Sequence, residues 1–368
     1  MKLLEACKLG SRTLPNRMVM APLTRRRAGT GKVPGEMVAR YYEQRAGAGL
    51  IITESTEVDP RSAGDQPTRP GLFNRSQMEG WRSVVQHVHA ADGRIFVQLS
   101  HLGRASHPLM LRDGAEPVAP SPIAARGNAF TPAGPLPFPV PRALAFSDIA
   151  DIVRQFADAA DLALQAGFDG IEIHAANGYL VDQFLRSGSN RRTDAYGGAV
   201  SNRTRFLAEV AEAVIDVAGP DRVGVRLSPW NDFNGMSDDH PSKTFGHAAD
   251  ILDQLGIAYL HVIGPEHRTR EASDLLSDLR RRFGGSLVLA QGYDAGSAER
   301  AIEQGEADLI AFGKAFIANP DLPERMRLNA QLNEPDETTF YAGGEKGYLD
   351  YPPLPIHPSS KPAGALHG

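Results

Sequence analysis

Residues 171–198 read IEIHAANGYLVDQFLRSGSNRRTDAYGG. The first residues are apolar and β-branched, the composition of a buried strand. At the C-terminal end of that strand stand His174, Asn177 and Tyr179, within six residues of one another. Working outward, the same kind of run recurs, giving eight predicted strands: Met18–Leu23, Leu50–Thr53, Arg94–Leu99, Gly170–His174, Arg222–Leu227, Tyr259–Ile263, Ser286–Ala290 and Asp308–Phe312. Helical patterns lie between them. Ile149, Ile152, Val153, Phe156 and Ala160 follow the i, i+3, i+4, i+7 spacing, and so do Phe206, Val210, Ala213, Val214 and Val217. Ser147 reads as the N-cap of the first of these helices and Gly167 as its stop. Strands alternating with helices form a parallel sheet, and eight of them close a (β/α)8 TIM barrel, an α/β fold. An open doubly wound sheet is disfavoured because no G-x-G-x-x-G turn follows the first strand.

The barrel expectation locates the chemistry, because active sites of this fold gather at the C-terminal ends of the strands. Thr24, Gln98, His174, Arg226, Gln291 and Lys314 all fall at such ends. Two insertions break the βα rhythm. Gly103–Ser147, after the third strand, holds nine of the 27 prolines and is too long for a simple βα loop. It is expected to be a semi-rigid flap over the barrel mouth with a small hairpin. The second insertion is Gly178–Ala199. The tail Tyr351–Gly368 is Pro-rich and expected to be irregular. Residues 1–368 are thus expected to form one barrel domain.

Composition narrows the function classes. A hydrophobic fraction of 42% and a charged fraction of 23% are ordinary for a globular protein. A net charge of −5 gives no reason to expect nucleic acid or an anionic membrane as partner. The one cysteine, Cys7, excludes an intrachain disulfide, an Fe–S cluster and a Cys-rich zinc site, and no metal is expected. MKLLEACKLG lacks the apolar core of a signal peptide, and no run approaches the ~20 residues of a membrane span. A cytoplasmic enzyme is the expectation.

Residue chemistry gives each strand end two readings. His174 and Asn177 are neutral donors and Tyr179 a phenol that ordinarily keeps its proton near neutrality. Together they suit a site that grips a carbonyl oxygen and protonates a nearby carbon. Taken alone, a histidine at a strand end is more often structural. Gln98 can pair with a pyrimidine edge through its donor and acceptor, or simply end a strand. Arg226 in a barrel mouth needs an anion or a buried carboxylate partner. Gly292 and Gly313 with Gln291 and Lys314 suit a phosphate at the loops after the seventh and eighth strands, or are plain turns. Thr24 in APLT offers a hydroxyl or caps a helix. His101 and Arg104 are equally well read as structural, and Phe340 and Tyr341 as rim packing.

The stretch 171–198, together with APLT at 21–24, VQLSHLGR at 97–104 and TTFYAGGEKGYLDYPPL at 338–354, resembles the old yellow enzymes, the FMN-dependent ene-reductases. The resemblance covers Leu9 to Leu354. It implies a (β/α)8 barrel holding FMN without a covalent bond, with NADPH or NADH as co-substrate. It implies that Pro22, Leu23, Thr24, Ser55, Gln98, Arg226, Gln291, Gly292, Gly313 and Lys314 hold the flavin. His174 and Asn177 then hold the substrate carbonyl, Tyr179 protonates the α-carbon, and Tyr341 contacts the substrate. The implied substrates are enones, enals, maleimides, quinones or nitro compounds, and the implied state is a monomer or homodimer. Two positions depart from the pattern. Ser100 replaces a frequent aromatic, from which a roomier pocket is expected. Lys314 replaces the usual arginine, which trades a bidentate fork for a point charge. The alternatives are an isomerase or dehydrogenase built on the same flavin, and a flavin-binding protein without catalysis.

Overall fold

The structure, a computed structural model, describes residues 1–62, 68–265 and 269–355. Eight strands form its centre: β1 Met18–Met20, β2 Leu50–Ile52, β3 Ile95–Ser100, β4 Gly170–Ala175, β5 Val223–Leu227, β6 Tyr259–Ile263, β7 Ser286–Ala290 and β8 Leu309–Phe312. Each pairs in parallel with the next, and β8 returns to β1 through Ile310 opposite Met18, so the sheet closes. The eight expected strands are all present, with ends within one residue of those expected except at β1. β1 stops at Met20 because Pro22 has no N–H to continue the ladder.

Around the barrel run α1 Glu36–Glu43, α2 Arg75–Ala90, α3 Phe146–Ala166, α4 Arg205–Ala218, α5 Pro241–Gln254, α6 Arg270–Arg282, α7 Ala295–Glu303 and the short α8 Lys314–Ala318. α3 starts one residue before Ser147, so Ser147 is not its N-cap. Ala145 holds that position, and Asp148, three residues on, accepts from the Ala145 N–H at 2.9 Å. Gly167 ends the helix in the left-handed region at φ 97°, as expected. Ile149, Ile152, Phe156 and Ala160 are buried. On α4 the stripe is broader than the spacing suggested, since Leu207 and Ala211 join Phe206, Val210 and Val214 in the core.

Two apolar layers result. One lies between helices and barrel. The other fills the lower barrel interior with Val19, Leu50, Phe96, Tyr259, Val288 and Leu309, floored by Leu9 and Leu14 of an N-terminal hairpin, Cys7–Leu9 with Arg12–Leu14. Burial on both faces explains why the strands read as continuous apolar runs.

The flap contains the expected hairpin, Asn128–Thr131 against Gly134–Pro137. Arg104 ties it to the loop after β5, donating to the carbonyls of Ile123 at 3.2 Å and of Asn234 at 3.3 Å. Arg192 of the second insertion donates to Pro120 O and Leu144 O. These bonds give Arg104 its structural reading, and buried His101 has its own in accepting the Gly103 N–H on Nδ1 at 3.0 Å. Residues 351–355 are irregular but tied down, with Arg325 donating to Pro352 O at 2.7 Å. The rest of the expected tail, 356–368, lies outside the described residues. Among the described residues no helix is long and apolar enough to cross a membrane.

Candidate active site

The β4 end is built by backbone geometry. His174 faces the barrel interior and is buried. Its Nδ1 accepts the Ala176 N–H at 3.2 Å, which leaves the ring proton on Nε2. Burial, then the neighbouring Arg226 and Arg69 cations, holds its pKa well below the usual histidine value, so His174 is a neutral donor. Asn177 sits at φ 56°, a left-handed conformation asparagine tolerates. Its N–H is fixed by Ser228 Oγ at 2.8 Å and its side-chain oxygen by Asn231 Nδ2 at 2.7 Å. The Asn177 amide is thereby turned so that its Nδ2 is left to donate. Tyr179 follows at the start of a short helix, Leu180–Leu185, with its ring edge-on to His174 at 4.8 Å. Gly178 N–H donates to Asp182, itself paired with Arg186 at 2.9 Å, and these bonds lock the turn.

Below this rim lies a polar layer inside the barrel. Gln98, Glu172, Arg226 and His261 project inward from β3, β4, β5 and β6, all buried. Gln98 Nε2 donates to Glu172 Oε1 at 2.7 Å. Tyr259 OH at 3.0 Å and His261 Nδ1 at 2.8 Å reach Glu172 Oε2. Arg226 forms no salt bridge with a described carboxylate, and its Nε has no hydrogen-bond partner. Arg226 therefore stands in the layer as a buried cation without a close ion pair.

Above the layer opens a cavity of about 840 Å³, lined among others by Pro22, Leu23, Thr24, Tyr179, Lys314 and Tyr341. Phe340 is buried behind Tyr341, which stands exposed at the rim. The loop carrying both is held by Arg25 and Arg27, which donate to Phe340 O, Gly347 O and Thr339 O. Lys314 pairs with Glu337 across the cavity wall, a partner that no local sequence feature announces. Gln291 and Gly292 are exposed on the loop after β7, both at positive φ (80° and 79°), and do not line the cavity. Gly313 precedes α8 beside Leu23. Ser55 Oγ bonds Ser100 Oγ at 2.6 Å, and both residues are buried. Ser100 is spent on that contact and is not part of the cavity wall, so the expected effect on pocket size has no direct footing there.

Sequence reasoning missed Arg69. It is buried, lines the cavity, and brings Nη2 to 3.4 Å from Thr24 Oγ1 and 3.5 Å from Tyr179 OH. No neighbouring motif marks it. Glu172 and His261 were also missed, although a charge or imidazole inside an apolar strand run is a signal.

Residues 2–333 match the NADH:flavin oxidoreductase / NADH oxidase family. The chain belongs to that family. It is 44% identical over 361 residues to 12-oxophytodienoate reductase 7 of Oryza sativa subsp. japonica, covering 92% of this chain and 91% of the rice protein. It is 42% identical over 356 residues to a probable flavin mononucleotide-dependent alkene reductase of Leishmania infantum, covering 95% and 97%. Morphinone reductase in complex with tetrahydroNAD superposes with a TM-score of 0.92 at 47% identity, over 96% of this chain and 98% of that one. The old yellow enzyme homologue from Zymomonas mobilis gives 0.91 at 43%, over 96% and 99%. The protein is thus an FMN-dependent oxidoreductase of the old yellow enzyme type, as the resemblance implied. The polar layer fits such a cofactor: a buried guanidinium whose Nε lacks any protein partner, beside a glutamine amide, suits the pyrimidine edge of an isoalloxazine.

Proposed function

We propose that this oxidoreductase reduces the activated C=C bond of α,β-unsaturated carbonyl compounds or their maleimide, quinone and nitro counterparts, with NADPH or NADH as electron source. The observation that carries this is the donor arrangement on β4. A neutral His174 with its proton on Nε2 stands edge-on to the Tyr179 ring, and the Asn177 amide on the same turn is pinned so that its Nδ2 is left free. Two fixed neutral donors polarise a carbonyl and hold the charge that develops on its oxygen. Tyr179 then gives its proton to the α-carbon from the cavity wall. Bound FMN would supply the hydride, taken from the nicotinamide and delivered from N5 to the β-carbon. Gln98 and Arg226 would meet its pyrimidine edge, Thr24, Pro22, Leu23 and Ser55 the opposite side of the ring, and Gln291, Gly292, Gly313 and Lys314 its phosphate. Lys314 would share its charge between that phosphate and Glu337.

The test is Tyr179→Phe assayed with 2-cyclohexenone. Alkene reduction should fall by roughly 10²–10⁴, the range for losing a general acid. Anaerobic NADPH should still bleach the bound flavin at the wild-type rate. Undiminished enone turnover in the variant would remove Tyr179 as proton donor. A wild-type protein that binds FMN and is bleached by NADPH but reduces no enone would favour the isomerase or dehydrogenase alternative.

A further inference from the structure

Glu172 is a buried, ionisable group for which the proposed reaction has no use. It projects into the barrel from the middle of β4, two residues before His174, and is fully buried. Its surroundings are built for an anion. Both carboxylate oxygens accept hydrogen bonds, Oε1 from Gln98 and Oε2 from Tyr259 and His261, at 2.7–3.0 Å. Burial pushes its pKa up, but His261, Arg226 and Gln98 together bring it below the usual carboxylate value.

The barrel wall opens to make this possible. Gly224 lies opposite Glu172 on one side and opposite Tyr259 on the other. A Cβ there would fall 2.1 Å from the Tyr259 ring. Only the missing side chain lets that ring lie across β5 and raise its hydroxyl to the carboxylate.

Two consequences follow at the mouth. A carboxylate can only accept, so Gln98 must turn its Nε2 toward Glu172 and its Oε1 away. The amide orientation offered to the cofactor is thus set from below. Glu172 is also the main negative charge acting on Arg226, whose Nε has no hydrogen-bond partner. That charge offsets part of the field with which Arg226 favours an anion above it.

We propose that Glu172 is a positioning residue for the flavin: it fixes the Gln98 amide, and its charge tunes how strongly Arg226 favours the reduced cofactor. The inference rests on the FMN site described above. It also gives His261 and Tyr259 a task, since each holds the carboxylate in place without lining the cavity.

The experiment measures two properties of Glu172→Gln and Glu172→Asp: the FMN dissociation constant, from flavin fluorescence on titrating apoprotein, and the two-electron midpoint potential against an indicator dye. E172Q removes the charge and frees the Gln98 amide to rotate. Its FMN should bind at least ~10-fold more weakly. With Arg226 less offset, reduced flavin should gain ~10-fold over oxidised, a rise of about 30 mV for a two-electron couple. E172D keeps the charge but shortens the reach, so affinity should fall while the potential moves less than half as far. A folded E172Q that binds FMN within twofold of wild type at an unchanged potential overturns the proposal. Should E172Q fail to fold, Tyr259→Phe carries the test. With one donor fewer, the carboxylate exerts more of its charge on Arg226 and the potential should drop, opposite in sign to E172Q. An unchanged Y259F potential would then overturn the proposal. A wild-type protein that takes up no FMN defeats the FMN site itself, whereas an active wild type beside an indifferent E172Q defeats only the role of Glu172.

Discussion

The lower and upper halves of the barrel interior differ by a single step along the same strand faces. Below are Phe96, Tyr259, Val288 and Leu309, packed on Leu9 and Leu14. Two residues further along their strands, Phe96 gives way to Gln98 and Tyr259 to His261, with Glu172 and Arg226 on the neighbouring strands. Both halves are removed from water, but they are stabilised in different ways. Apart from the Tyr259 hydroxyl, the lower half gains from apolar burial, which is non-directional and tolerates apolar side chains of similar volume. The upper half carries charges and amides whose burial is unfavourable unless each finds a partner. Its partners are specific: Glu172 takes three hydrogen bonds and His174 one backbone N–H, while Arg226 Nε has none. Stability and chemistry are thus separated by one rung of the barrel.

The sharpest way to break the comparison is from below. Leu309→Ala removes a fully buried side chain from the lower half and should cost about 2–5 kcal/mol in a denaturant titration. The same variant should bind FMN within twofold of wild type. A matching loss of FMN affinity would show that the two halves are not separable.

Acidification tests the polar end. His101 is buried just beyond β3, its Nδ1 accepting the Gly103 N–H, and burial lowers its pKa to about 4. In the unfolded chain the same histidine protonates near 6.5. Between these values the unfolded state binds more protons, so this contribution is fully present above about 6.5 and is lost as pH falls toward 4. The loss is about 3 kcal/mol from His101, with His174 adding in the same direction. Unfolding free energies at pH 7 and pH 4.5 should differ accordingly, and His101→Gln should flatten the difference.

The boundary between the halves is the subtlest target. Gly224→Ala drives a methyl into the Tyr259 ring and should cost about 1–3 kcal/mol. Adding Tyr259→Val should recover part of it, because the clash and the ring are then removed together. Additive losses in the double variant would mean that Gly224 is needed for a reason other than that ring.

The strands were legible because burial on both faces leaves a continuous apolar run, and their C-terminal ends because chemistry stands out against it. The start of α3 was misplaced by two positions because Ser147 has the right chemistry for a cap, while the N-cap is Ala145, whose N–H is bonded by Asp148. Arg25 and Arg27 illustrate a different limit. Nothing local to the run at 25–27 marks burial, yet both side chains are buried against carbonyls more than 300 residues away. Arg69 reaches Thr24 and Tyr179 across separations of 45 and 110 residues, and Lys314 meets Glu337 across 23. Side chains that meet only through the closed barrel leave no periodicity or spacing to read.

By itself, the sequence determined the number of strands, the placement of Gln98, His174 and Arg226 at strand ends, and the β4 motif on which the proposed chemistry rests. Those properties are local: hydrophobic period, proline and glycine placement, and residue type at a strand end. Closure of the sheet decided the rest. It brought β3, β4, β5 and β6 side by side, gave Glu172 its three donors, pinned the Asn177 amide on Asn231, and left Arg226 Nε without a hydrogen-bond partner. Hydrogen-bond orientation and charge balance depend on which strands become neighbours, and neighbours are settled only when the barrel closes.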